Sequence, residues 1–585
     1  MVQDQRIGPI LAIDCGTALT KAILLDQVDG SYHFVARGVA MTTASPPWND
    51  VTLGIQHAIH QLEDITGRLL LDEAGYLILP QQGAIQGVDA CVMVSSASPP
   101  LRAILAGLVP ELSLASAQRA IAGTYTVVED VLVQAPHRRL SEEEQVRRLL
   151  RYRPDVVCIT GGADGGATIP VLELVETVAL ACSMLPEEER PRVFFAGNAA
   201  LRQRVVDIIG GQAVVHSVDN VRPSLEVENT VGLRQELDNL YRERRLANLP
   251  GGEMLQRWLS VPLMSTAESF ARQIQYLWYL DESPKGTLGI DVGAAHTVVA
   301  AVFGGQVHLT VGTGNGIIQG AERILERNGA DALIRWVPVP LKPEQVRGIL
   351  VNRKLWPTSV PQETEELWLE QAVVREVIRG VLGTASQVWK VGRVRPYPHL
   401  SPLFDPILIS GSALAGAPRP GQIALMVLDA VEPIGVTTLL LDLHGLAPVL
   451  GAVGLLKPLA AVETVDNGGF VNLATVIAPV GTARKGEIVL RIRIHYEKGG
   501  HLEVEVPYGS LEVLPLPPGE EAVLEIRPRG RFDVGLGGPG RGGKRRVRGG
   551  LVGIIVDARG RPLQLPSDTW VRMAQVQQWL WDVGG

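Results

Sequence analysis

The sequence predicts an α/β protein with parallel or mixed sheets that carry helices on both faces, followed by an antiparallel β module. Two observations predict this class. Before about residue 460, short apolar strands alternate with small polar loops and helical segments, which is the pattern of a sheet buried on both sides. After about residue 460, apolar and polar residues alternate along paired segments joined by glycine turns, which is typical of antiparallel hairpins.

Composition sets limits on size, partners and location. The 585 residues, 46% hydrophobic and 20% charged, correspond to roughly three or four globular domains of about 150 residues each. A net charge of −8 argues against a general nucleic-acid binder. The four cysteines form no CxxC pair, so neither a zinc site nor a disulfide framework is expected and a reducing cytoplasm is the expected location.

No membrane contact is expected from the sequence. The first residues are too polar for a signal peptide. The nearest approach to a membrane span, residues 436–456, contains Asp442 and His444, so we reject it.

The first elements are three strands and a helix. The segments PILAIDCG, TKAILLDQ and YHFVARGVAM, within residues 9–40, are predicted strands joined by turns at Gly16-Thr17 and Asp29-Gly30. A helix is predicted over about residues 51–66 from the helical spacing of apolar residues at Leu53, Ile55, Ala58, Ile59 and Leu62.

A strand–loop–helix unit then repeats. Strands are predicted at 88–94, 155–160 and 193–195, with the following helices starting near Leu101, at Pro170 and at Ala199. Ligands usually bind at loops that follow the strands of such a sheet. The loop Gly161–Thr168 precedes a helix N-terminus, which favours an anion, and its Asp164 is a candidate to orient an attacking water.

Apolar strands and helices are predicted to continue up to about residue 416. Helices are predicted within 224–246 and over 265–280. An apolar strand region over 288–302 contains the turn Asp291-Val292-Gly293 and is followed by a strand at 306–311. Residues 321–400 are predicted to be mostly helical, and 406–416 to be a strand that runs into a small-residue turn.

The C-terminal part, residues 465–566, is predicted to be an antiparallel β module. Residues 488–496 and 502–506 form a hairpin in which Arg491 and Arg493 face Glu503 and Glu505. Further strands are predicted at 521–527 and 551–556. The Gly/Arg-rich segment Arg529–Gly550 is predicted to be a mobile basic loop, with docking to an acidic partner or nucleic acid as its functional alternative.

An amphipathic helix is predicted over 568–582. Its apolar stripe is predicted to pack on the core and consists of Trp570, Met573, Val576, Trp579 and Leu580, with Trp581 beside it.

One lysine stands apart. Only nine of the 54 Lys+Arg residues are lysine, and Lys21 is the only one in the first 284 residues. Lysine is a compact point charge that suits a tight pocket with an oxyanion. The chemistry of the surrounding hairpin fits a phosphate, because its glycine exposes backbone N–H groups and an aspartate could hold a hydrated Mg²⁺. The predicted nucleotide-binding residues here are Asp14, Gly16, Thr17, Ala18 and Lys21, with Asp14 supporting Mg²⁺ through water.

Two later turns complete the pattern. Asp291, Gly293 and Ala294 are predicted to face the phosphates from a second hairpin, with Asp291 as the other Mg²⁺ support. Gly411 and Ser412 are predicted to lie near a nucleoside, where small residues leave room. The three turns in this order resemble the phosphate-1, phosphate-2 and adenosine motifs of the actin/Hsp70/sugar-kinase (ASKHA) superfamily, whose core is ribonuclease H-like.

A narrower resemblance lies between these motifs. The segments VSSASPPLRAILAGLVPELSLASAQRAIAG (94–123), ITGGADGGA (159–167), VFFAGN (193–198) and VDNVRP (218–223) are similar to the glutamate mutase accessory protein family, MutL or GlmL, which is unrelated to the mismatch-repair protein of that name. The resemblance spans roughly residues 8–458. It implies a two-lobed actin-like fold, ATP or ADP with Mg²⁺, and a chaperone or reactivating role toward an adenosylcobalamin-dependent mutase, whose subunits would be the partners.

With this resemblance, the predicted domains are a first lobe over 1–270, a second lobe over 271–460, and a β-rich module over 461–585.

The sequence departs from the phosphate-2 and adenosine motifs in several places. Ala294, His296 and Val298 stand where the phosphate-2 motif has Gly, Thr and an acid, and Ser412 replaces a glycine. Nucleotide binding is therefore predicted more firmly than fast hydrolysis, and slow ATPase activity stays open. The alternatives are an actin-like protein that self-associates into filaments and, as the weakest, a small-molecule kinase, for which no base is evident.

Overall fold

The computed structural model describes residues 7–134, 140–281, 284–389 and 394–585. The part of the helical prediction that falls on residues 390–393 lies outside the described residues. By chain contacts the protein divides into one compact unit made of residues up to 97 and from 249 onward, and another made of residues 98–248. The domain boundaries predicted at 270 and 460 stay predictions.

The elements are numbered in chain order. Those before residue 98 are β1 (Ile10–Cys15), β2 (Leu19–Val28), β3 (Ser31–Met41), α1 (Val51–Thr66) and β4 (Ala90–Ser95). Those of the 98–248 unit are β5 (Leu101–Gly107), α2 (Ala115–Ile121), β6 (Thr126–Val133), α3 (Glu142–Tyr152), β7 (Val156–Ile159), α4 (Ile169–Ser183), β8 (Arg192–Phe195), α5 (Arg202–Ile209), β9 (Val215–Ser217) and α6 (Val231–Tyr241).

The elements from residue 249 to 464 alternate in the same way. They are α7 (Gly252–Gln256), β10 (Met264–Ser265), α8 (Thr266–Asp281), β11 (Gly286–Val292), β12 (His296–Phe303), β13 (Gln306–Thr313), α9 (Gln319–Asn328), α10 (Asp331–Ile334), α11 (Pro343–Leu355), α12 (Thr364–Ala385), β14 (Phe404–Ser410), α13 (Ser412–Ala415), α14 (Pro420–Val431), β15 (Gly435–Leu441), α15 (Ala447–Leu456) and α16 (Pro458–Thr464).

The C-terminal elements are mostly strands. They are β16 (Val471–Ala478), β17 (Ile488–Tyr496), β18 (His501–Pro507), β19 (Leu511–Leu514), β20 (Glu521–Pro528), β21 (Gly543–Arg548), β22 (Gly553–Asp557) and α17 (Thr569–Asp582). Short π-helical turns cover Pro110–Leu114, Arg242–Leu246 and Val465–Gly469, and short 3₁₀ turns cover Glu187–Glu189, Ala199–Leu201 and Ser386–Val388.

The N-terminal sheet has the strand order β10-β4-β1-β2-β3. Strand β1 pairs antiparallel with β2 and parallel with β4. Helix α1 packs on one face, where Ile55, Ile59 and Leu62 are buried, and α15 covers the other face through Val449 and Leu450. The predicted strands within 9–40 and the helix over 51–66 are confirmed.

The 98–248 unit contains a parallel sheet in the order β6-β5-β7-β8-β9. This is the order of a doubly wound α/β sheet. The strands predicted at 155–160 and 193–195 are confirmed, as are the helical segments that follow them. The helix predicted to start near Leu101 is wrong, because residues 101–107 form strand β5, which lies between β6 and β7 in this sheet. The short apolar run at residues 103–107, which follows the exposed Arg102, cannot be distinguished from a helix by periodicity alone.

The large sheet has the order β13-β12-β11-β14-β15-β16-β22-β19. Strand β11 pairs antiparallel with β12 and parallel with β14, and β14 pairs parallel with β15. The C-terminal edges of β11, β14 and β15 therefore lie side by side. The predicted helical character after residue 321 is confirmed by α9 to α12, and the strand at 406–416 is confirmed as β14.

The C-terminal strands divide between two sheets. The small sheet, in the order β18-β17-β20-β21, is antiparallel, and its predicted pairs of Arg491 with Glu505 and Arg493 with Glu503 are confirmed. Strands β16, β19 and β22 instead join the large sheet, where β16 and β22 pair parallel. The prediction of a wholly antiparallel module is therefore wrong at this pair.

The Gly/Arg-rich segment is more ordered than predicted. Its second half is β21, which pairs with β20 so that Lys544 lies opposite Glu525 and Arg548 opposite Glu521. In its first half Phe532 and Val534 are buried. The prediction of a mobile loop that buries nothing is therefore wrong, because facing glutamates let an arginine-rich strand pair. Its contact with a partner or nucleic acid stays a prediction.

Helix α17 confirms the predicted C-terminal helix and most of its stripe. Met573, Val576, Trp579 and Leu580 are buried, whereas Trp570 is 72% exposed and does not belong to the packed face. Within the described ranges, no helix is both long and apolar enough to cross a membrane.

Candidate functional site

The first hairpin presents Asp14 and Lys21 at one end of the N-terminal sheet. Asp14 on β1 lies directly opposite Lys21 on β2. In the turn between them, the Gly16 N–H donates to the carbonyl oxygen of Leu19 at 3.0 Å. A Cβ on Gly16 would lie 2.9 Å from that oxygen, so the turn favours glycine. Thr17 and Ala18 form the partly exposed tip of the turn.

The second hairpin repeats this geometry 277 residues later, since 291 − 14, 293 − 16 and 298 − 21 all equal 277. The Gly293 N–H donates to the carbonyl oxygen of His296 at 2.9 Å, and a Cβ on Gly293 would lie 2.9 Å from the same oxygen. Asp291 lies opposite Val298. Val298 therefore has the position in the second hairpin that Lys21 has in the first.

The two hairpins meet at Lys21. Its Nζ lies 3.1 Å from Asp14 Oδ2, and the two side chains are only 14% and 7% exposed. Burial by itself would lower the pKa of Lys21, but the carboxylates of Asp14, Asp291 and Asp442 outweigh it and raise the pKa. The lysine is therefore fully charged at neutral pH. We call these four residues the Lys21 cluster.

Asp291 has the most perturbed carboxyl of this cluster. Loss of hydration and the neighbouring Asp14 and Asp442 raise its pKa to about 6, against the opposing effect of Lys21. A carboxyl with a pKa near neutrality gains a full negative charge when a cation approaches. The protonation of Asp291 therefore depends on the charge of any ion or ligand bound beside it.

Asp442 is the member of the cluster that the site prediction missed. It follows β15 and is fully buried. Its carboxylate accepts from the backbone N–H of Leu446 at 2.8 Å and of Ala447 at 2.9 Å, and from Ser410 Oγ at 2.9 Å. Asp442 thus caps the start of α15 and also adds negative charge beside Lys21. An acid directly after an apolar strand is the signal in the sequence that could have found it, as at Asp14 and Asp291.

The loop that follows Asp442 reaches the N-terminal sheet. Gly445 has a φ of +73°, and a Cβ built there would lie 2.9 Å from Lys21 Nζ. Arg37 on β3 donates to the carbonyl oxygen of Leu443 at 3.2 Å, and Phe34 stacks on His444 with ring centroids 4.3 Å apart. The loop 442–446 therefore connects β2 and β3 of the N-terminal sheet to the large sheet.

The charge balance of the cluster leaves room for a cation. Three carboxylates interact with a single ammonium group, and Arg37 offsets part of the charge of one of them, Asp442. The buried Asp14 Oδ1 has no hydrogen-bond partner among the described residues. In the same residues, no group of three or more His, Cys, Asp and Glu side chains is arranged to ligate a metal ion directly. The donor set therefore fits a hydrated cation better than a directly chelated one.

The remaining residues of the second hairpin are tightly packed. The carbonyl oxygen of Ala294 accepts from the Ile318 N–H at 3.0 Å. His296 Nδ1 accepts from the Gly314 N–H at 3.2 Å, which assigns the ring proton to Nε2. Burial, with a contribution from Arg323, lowers the pKa of His296 to about 4. His296 is therefore a neutral packed residue at neutral pH.

The third turn follows β14. Gly411 has a φ of +113°, and a Cβ there would lie 2.8 Å from the Val292 backbone nitrogen. This glycine is thus required by its close approach to β11, next to the second hairpin. Ser412 begins α13 and is exposed. Asp291 lies opposite Ser410 in the register of β11 and β14, so this turn flanks the cluster.

Asp164 lies in the 98–248 unit. Its Oδ1 accepts from the Ala199 N–H and from Asn220 Nδ2, both at 2.9 Å. These hydrogen bonds lower the pKa of Asp164. The carboxylate thus holds the loop 161–168 against the turn at 199–201. Its predicted role in orienting a water stays a prediction.

Residues 10–468 match the family model described as MutL protein. The chain belongs to the MutL protein family. A curated member, Protein MutL from Clostridium tetanomorphum, is 25% identical over 216 residues. That alignment covers 36% of this chain and 44% of the relative, so it spans less than half of either MutL protein.

Three solved structures that align with most of this chain have low sequence identity to it. The nucleotide-free structure of acetone carboxylase aligns with 86% of this MutL chain and 81% of its own, at 12% identity and a TM-score of 0.34. Diol dehydratase-reactivating factor in nucleotide-free form aligns over 79% and 100%, at 12% identity and a TM-score of 0.30. Glycerol kinase from Plasmodium falciparum with ADP aligns over 78% and 92%, at 9% identity and a TM-score of 0.30.

The predicted fold class is confirmed. This MutL chain has an α/β core in which two sheets each begin with the same Asp-x-Gly hairpin, followed by a C-terminal antiparallel sheet and a terminal helix. The resemblance to the MutL family is likewise confirmed by the match over residues 10–468.

Proposed function

We propose that this MutL chain binds ATP or ADP with Mg²⁺ and uses its nucleotide state to assist a protein partner. The observation that carries the proposal is the convergence of two equivalent Asp-x-Gly turns on one buried, charged lysine. The turn is closed by the Gly16 N–H and does not use the lysine. Removing an ammonium group from water is costly even beside a carboxylate, so a phosphate ligand would account for a lysine at this position.

Each residue of the site has a proposed part. Lys21 would meet the phosphate oxygens as a point charge, and the turns at Gly16-Thr17-Ala18 and Gly293-Ala294 would offer backbone N–H groups. Asp14 and Asp291 would hold Mg²⁺ through water, and the buried Asp14 Oδ1, which has no hydrogen-bond partner among the described residues, fits that part. The bound ion would supply charge neutralisation at the phosphates. Gly411 and Ser412 would lie near the nucleoside.

Hydrolysis is proposed to be slow. Val298 lies opposite Asp291 where a second hydrogen-bonding side chain would otherwise complete the turn, and His296 is packed and neutral. Val298 has no proton-accepting group, and His296 is a weak base whose Nδ1 already accepts from the Gly314 N–H. The chain's own residues are thus better suited to holding a nucleotide than to activating water.

The partner is proposed from family membership. MutL is an accessory family of glutamate mutase, so we propose an adenosylcobalamin-dependent mutase as the protein that is assisted. The nucleotide would act by favouring one arrangement of the elements around the Lys21 cluster over another. The loop 442–446, which joins both sheets at Lys21, is where such a preference would arise.

Calorimetric titration tests the binding step. ATP and ADP, each with Mg²⁺, are expected to bind the wild-type chain, and Lys21→Ala is expected to weaken binding by about tenfold or more because a charge-assisted contact is lost. Lys498→Ala is the matched control, because this lysine is 76% exposed and forms a surface pair with Glu520. Unchanged affinity in Lys21→Ala, or no binding at all, would contradict the proposal.

A reactivation assay tests the partner. A cobalamin-dependent mutase from the same source, inactivated during turnover, is expected to regain activity with this chain and ATP but less with the Lys21→Ala variant. Light scattering in the same buffers separates the filament alternative. Growth of large particles on addition of ATP, without any rescue of the mutase, would favour self-assembly over the accessory role.

A further inference from the structure

A cavity of about 660 Å³ lies beside α9 and the C-terminal half of α12, and is closed by the end of α14 and residues 395–402. None of its described lining residues belongs to the Lys21 cluster. Small-molecule sites commonly have volumes of about 300–1,000 Å³. The cavity is therefore large enough for a small ligand other than the nucleotide.

The lining carries more positive than negative charge. Among the described residues, its charged side chains are the acids Glu376 and Glu432 and the arginines Arg323, Arg327, Arg379 and Arg395. Each acid already has a cationic partner. Glu432 pairs with Arg379 at 2.9 Å, and Glu376 pairs with Arg335. A ligand that enters would therefore meet uncompensated arginine.

Two arginines carry this excess. Arg395 Nε donates to the carbonyl oxygen of Leu400 at 3.0 Å, which fixes the side chain but does not neutralise it. Neither Arg395 nor Arg327 forms an ion pair within the described ranges. Arg323 is held in place by its donation to the carbonyl oxygen of Thr313 at 2.8 Å. Neutral oxygens thus position Arg323 and Arg395 at the cavity.

An aromatic residue supplies a second, independent feature. Trp389 lines the cavity and is 6% exposed. It packs edge-on against Phe303 and Phe404, at centroid distances of 5.9 and 5.6 Å. Its Nε1 donor is buried and has no acceptor among the described residues. The packed ring therefore gives this wall of the cavity a fixed aromatic surface.

We propose that this cavity is a second ligand site, which binds a small oxyanion that carries phosphate or carboxylate groups. The planar fork of arginine matches both groups through paired hydrogen bonds. Such a ligand would provide the negative charge that the arginines of the lining lack. The site is independent of the proposed nucleotide function, because it shares no residue with the Lys21 cluster.

Calorimetry with two probes tests the site. Inorganic pyrophosphate and citrate are titrated without Mg²⁺ at an ionic strength held constant with chloride, because screening would otherwise mimic competition. At least one probe is expected to bind the full-length wild-type chain. The double variant Arg327→Gln/Arg395→Gln is expected to weaken that binding by about tenfold or more. Pyrophosphate alone would identify a phosphate site, and citrate alone a carboxylate site.

Two further variants serve as controls for the location of the bound anion and for the loss of positive charge in general. Lys21→Ala is expected to retain the binding, which separates this site from the nucleotide site. Arg531→Gln/Arg541→Gln, which removes two exposed arginines of the C-terminal segment, is also expected to retain it. Circular dichroism confirms that each variant is folded.

Three results would overturn the proposal. The first is that neither probe binds the wild-type chain. The second is that binding survives in Arg327→Gln/Arg395→Gln but is lost in Lys21→Ala, which would assign the anion to the Lys21 cluster. The third is that both double arginine variants weaken binding equally, which would mean a general effect of charge.

Discussion

At the scale of single residues, the Lys21 cluster explains why this chain keeps a lysine where it otherwise uses arginine. Lys21 Nζ bonds Asp14 and lies close to the backbone of Gly445, which has a left-handed conformation. A guanidinium is wider than an ammonium and carries its donors in a fixed plane. The space between Asp14 and the loop 442–446 therefore selects the smaller cation.

Lys21→Arg is predicted to destabilise the fold and to weaken nucleotide binding, although it keeps the positive charge. Crowding against Gly445 is expected to lower the free energy of unfolding by about 1–3 kcal/mol and to weaken nucleotide binding. Urea unfolding and calorimetry measure the two effects. Lys354→Arg, at a lysine that is 57% exposed, is the control and should be close to neutral. Wild-type stability in Lys21→Arg would show that the pocket has room for the larger group.

Asp291→Asn is predicted to change stability in a pH-dependent way. The carboxyl's pKa is raised to about 6 in the folded chain from its ordinary value of 3.8, so the folded state binds more protons than the unfolded state between these values. Wild-type stability therefore falls as pH rises from about 4 to about 6, by at most about 3 kcal/mol from this group.

The asparagine variant lacks this titration. Its free energy of unfolding relative to wild type should rise across the same pH range and stay constant above about pH 7. Urea unfolding at a series of pH values between these limits measures the difference. A difference that does not change with pH would mean that Asp291 titrates normally in the folded chain.

Sequence reasoning found Asp14, Lys21 and Asp291 because each lies in a local motif with its own hydrogen-bonded turn. It missed Asp442, whose proximity to Lys21 depends on strand order. The parallel pairing of β15 with β14, and of β14 with β11, aligns the ends of these strands. No local pattern specifies which strands are neighbours, so only the tertiary fold could reveal this fourth member.

At the scale of elements, the errors share one cause. Residues 101–107 and 543–548 were not predicted as strands because one is mostly apolar without strict alternation and the other is strongly basic. Both are strands because of their neighbours. Strand β5 lies between two parallel neighbours, β6 and β7, and β21 lies along the acidic residues of β20. β-Propensity depends strongly on such context, whereas α1 and α17 could be predicted from their own periodicity.

Helix α17 provides a prediction at this scale. Leu580 is buried and belongs to the main core cluster, so Leu580→Ala is expected to cost about 2–5 kcal/mol. Trp570→Ala removes a larger side chain that is 72% exposed, and a change of less than about 0.5 kcal/mol is expected. Chemical unfolding of both variants measures the contrast. Comparable losses would show that the exposed tryptophan is packed in solution.

At the scale of the whole molecule, the C-terminal strands are part of the core around the candidate site's large sheet. Strand β16 pairs with β15 and β22 pairs with β16, and the cluster that contains Ile290 also contains Ile555 and Leu580. The sequence indicated a change of character near residue 460. It could not show that three of the later strands return to the preceding sheet, because that depends on long-range pairing.

A buried network of charges strengthens this connection. Asp557, at the end of β22, pairs with Arg559 at 2.9 Å and with Arg561 at 2.7 Å. Arg559 also pairs at 2.8 Å with Asp429 on α14, which in turn pairs at 2.8 Å with Arg375 on α12. Arg559 further lies over the ring of Trp579 on α17, 4.5 Å from its centroid.

The arginines determine the ionisation of this network. Burial alone would raise the pKa of Asp557, but Arg559 and Arg561 outweigh it and hold the pKa well below its usual range. A depressed pKa means that the stabilisation is fully present above the ordinary value of 3.8 and is lost only as pH falls below it. At neutral pH the pairs are therefore intact.

Asp557→Ala is accordingly predicted to destabilise the unit formed by residues up to 97 and from 249 onward. Removing the acid leaves Arg559 and Arg561 buried without their main counter-charge, which is expected to cost about 3–5 kcal/mol. Glu503→Ala, at an exposed pair with Arg493, is the control and should be close to neutral because solvent screens such a pair. Urea unfolding followed by circular dichroism and by tryptophan fluorescence measures both.

Because β22 and α12 share one core, the unfolding transitions seen by the two probes should shift together in Asp557→Ala. A separate early transition, with the nucleotide site still able to bind, would instead mean that the C-terminal strands unfold independently of the sheet that carries Asp291.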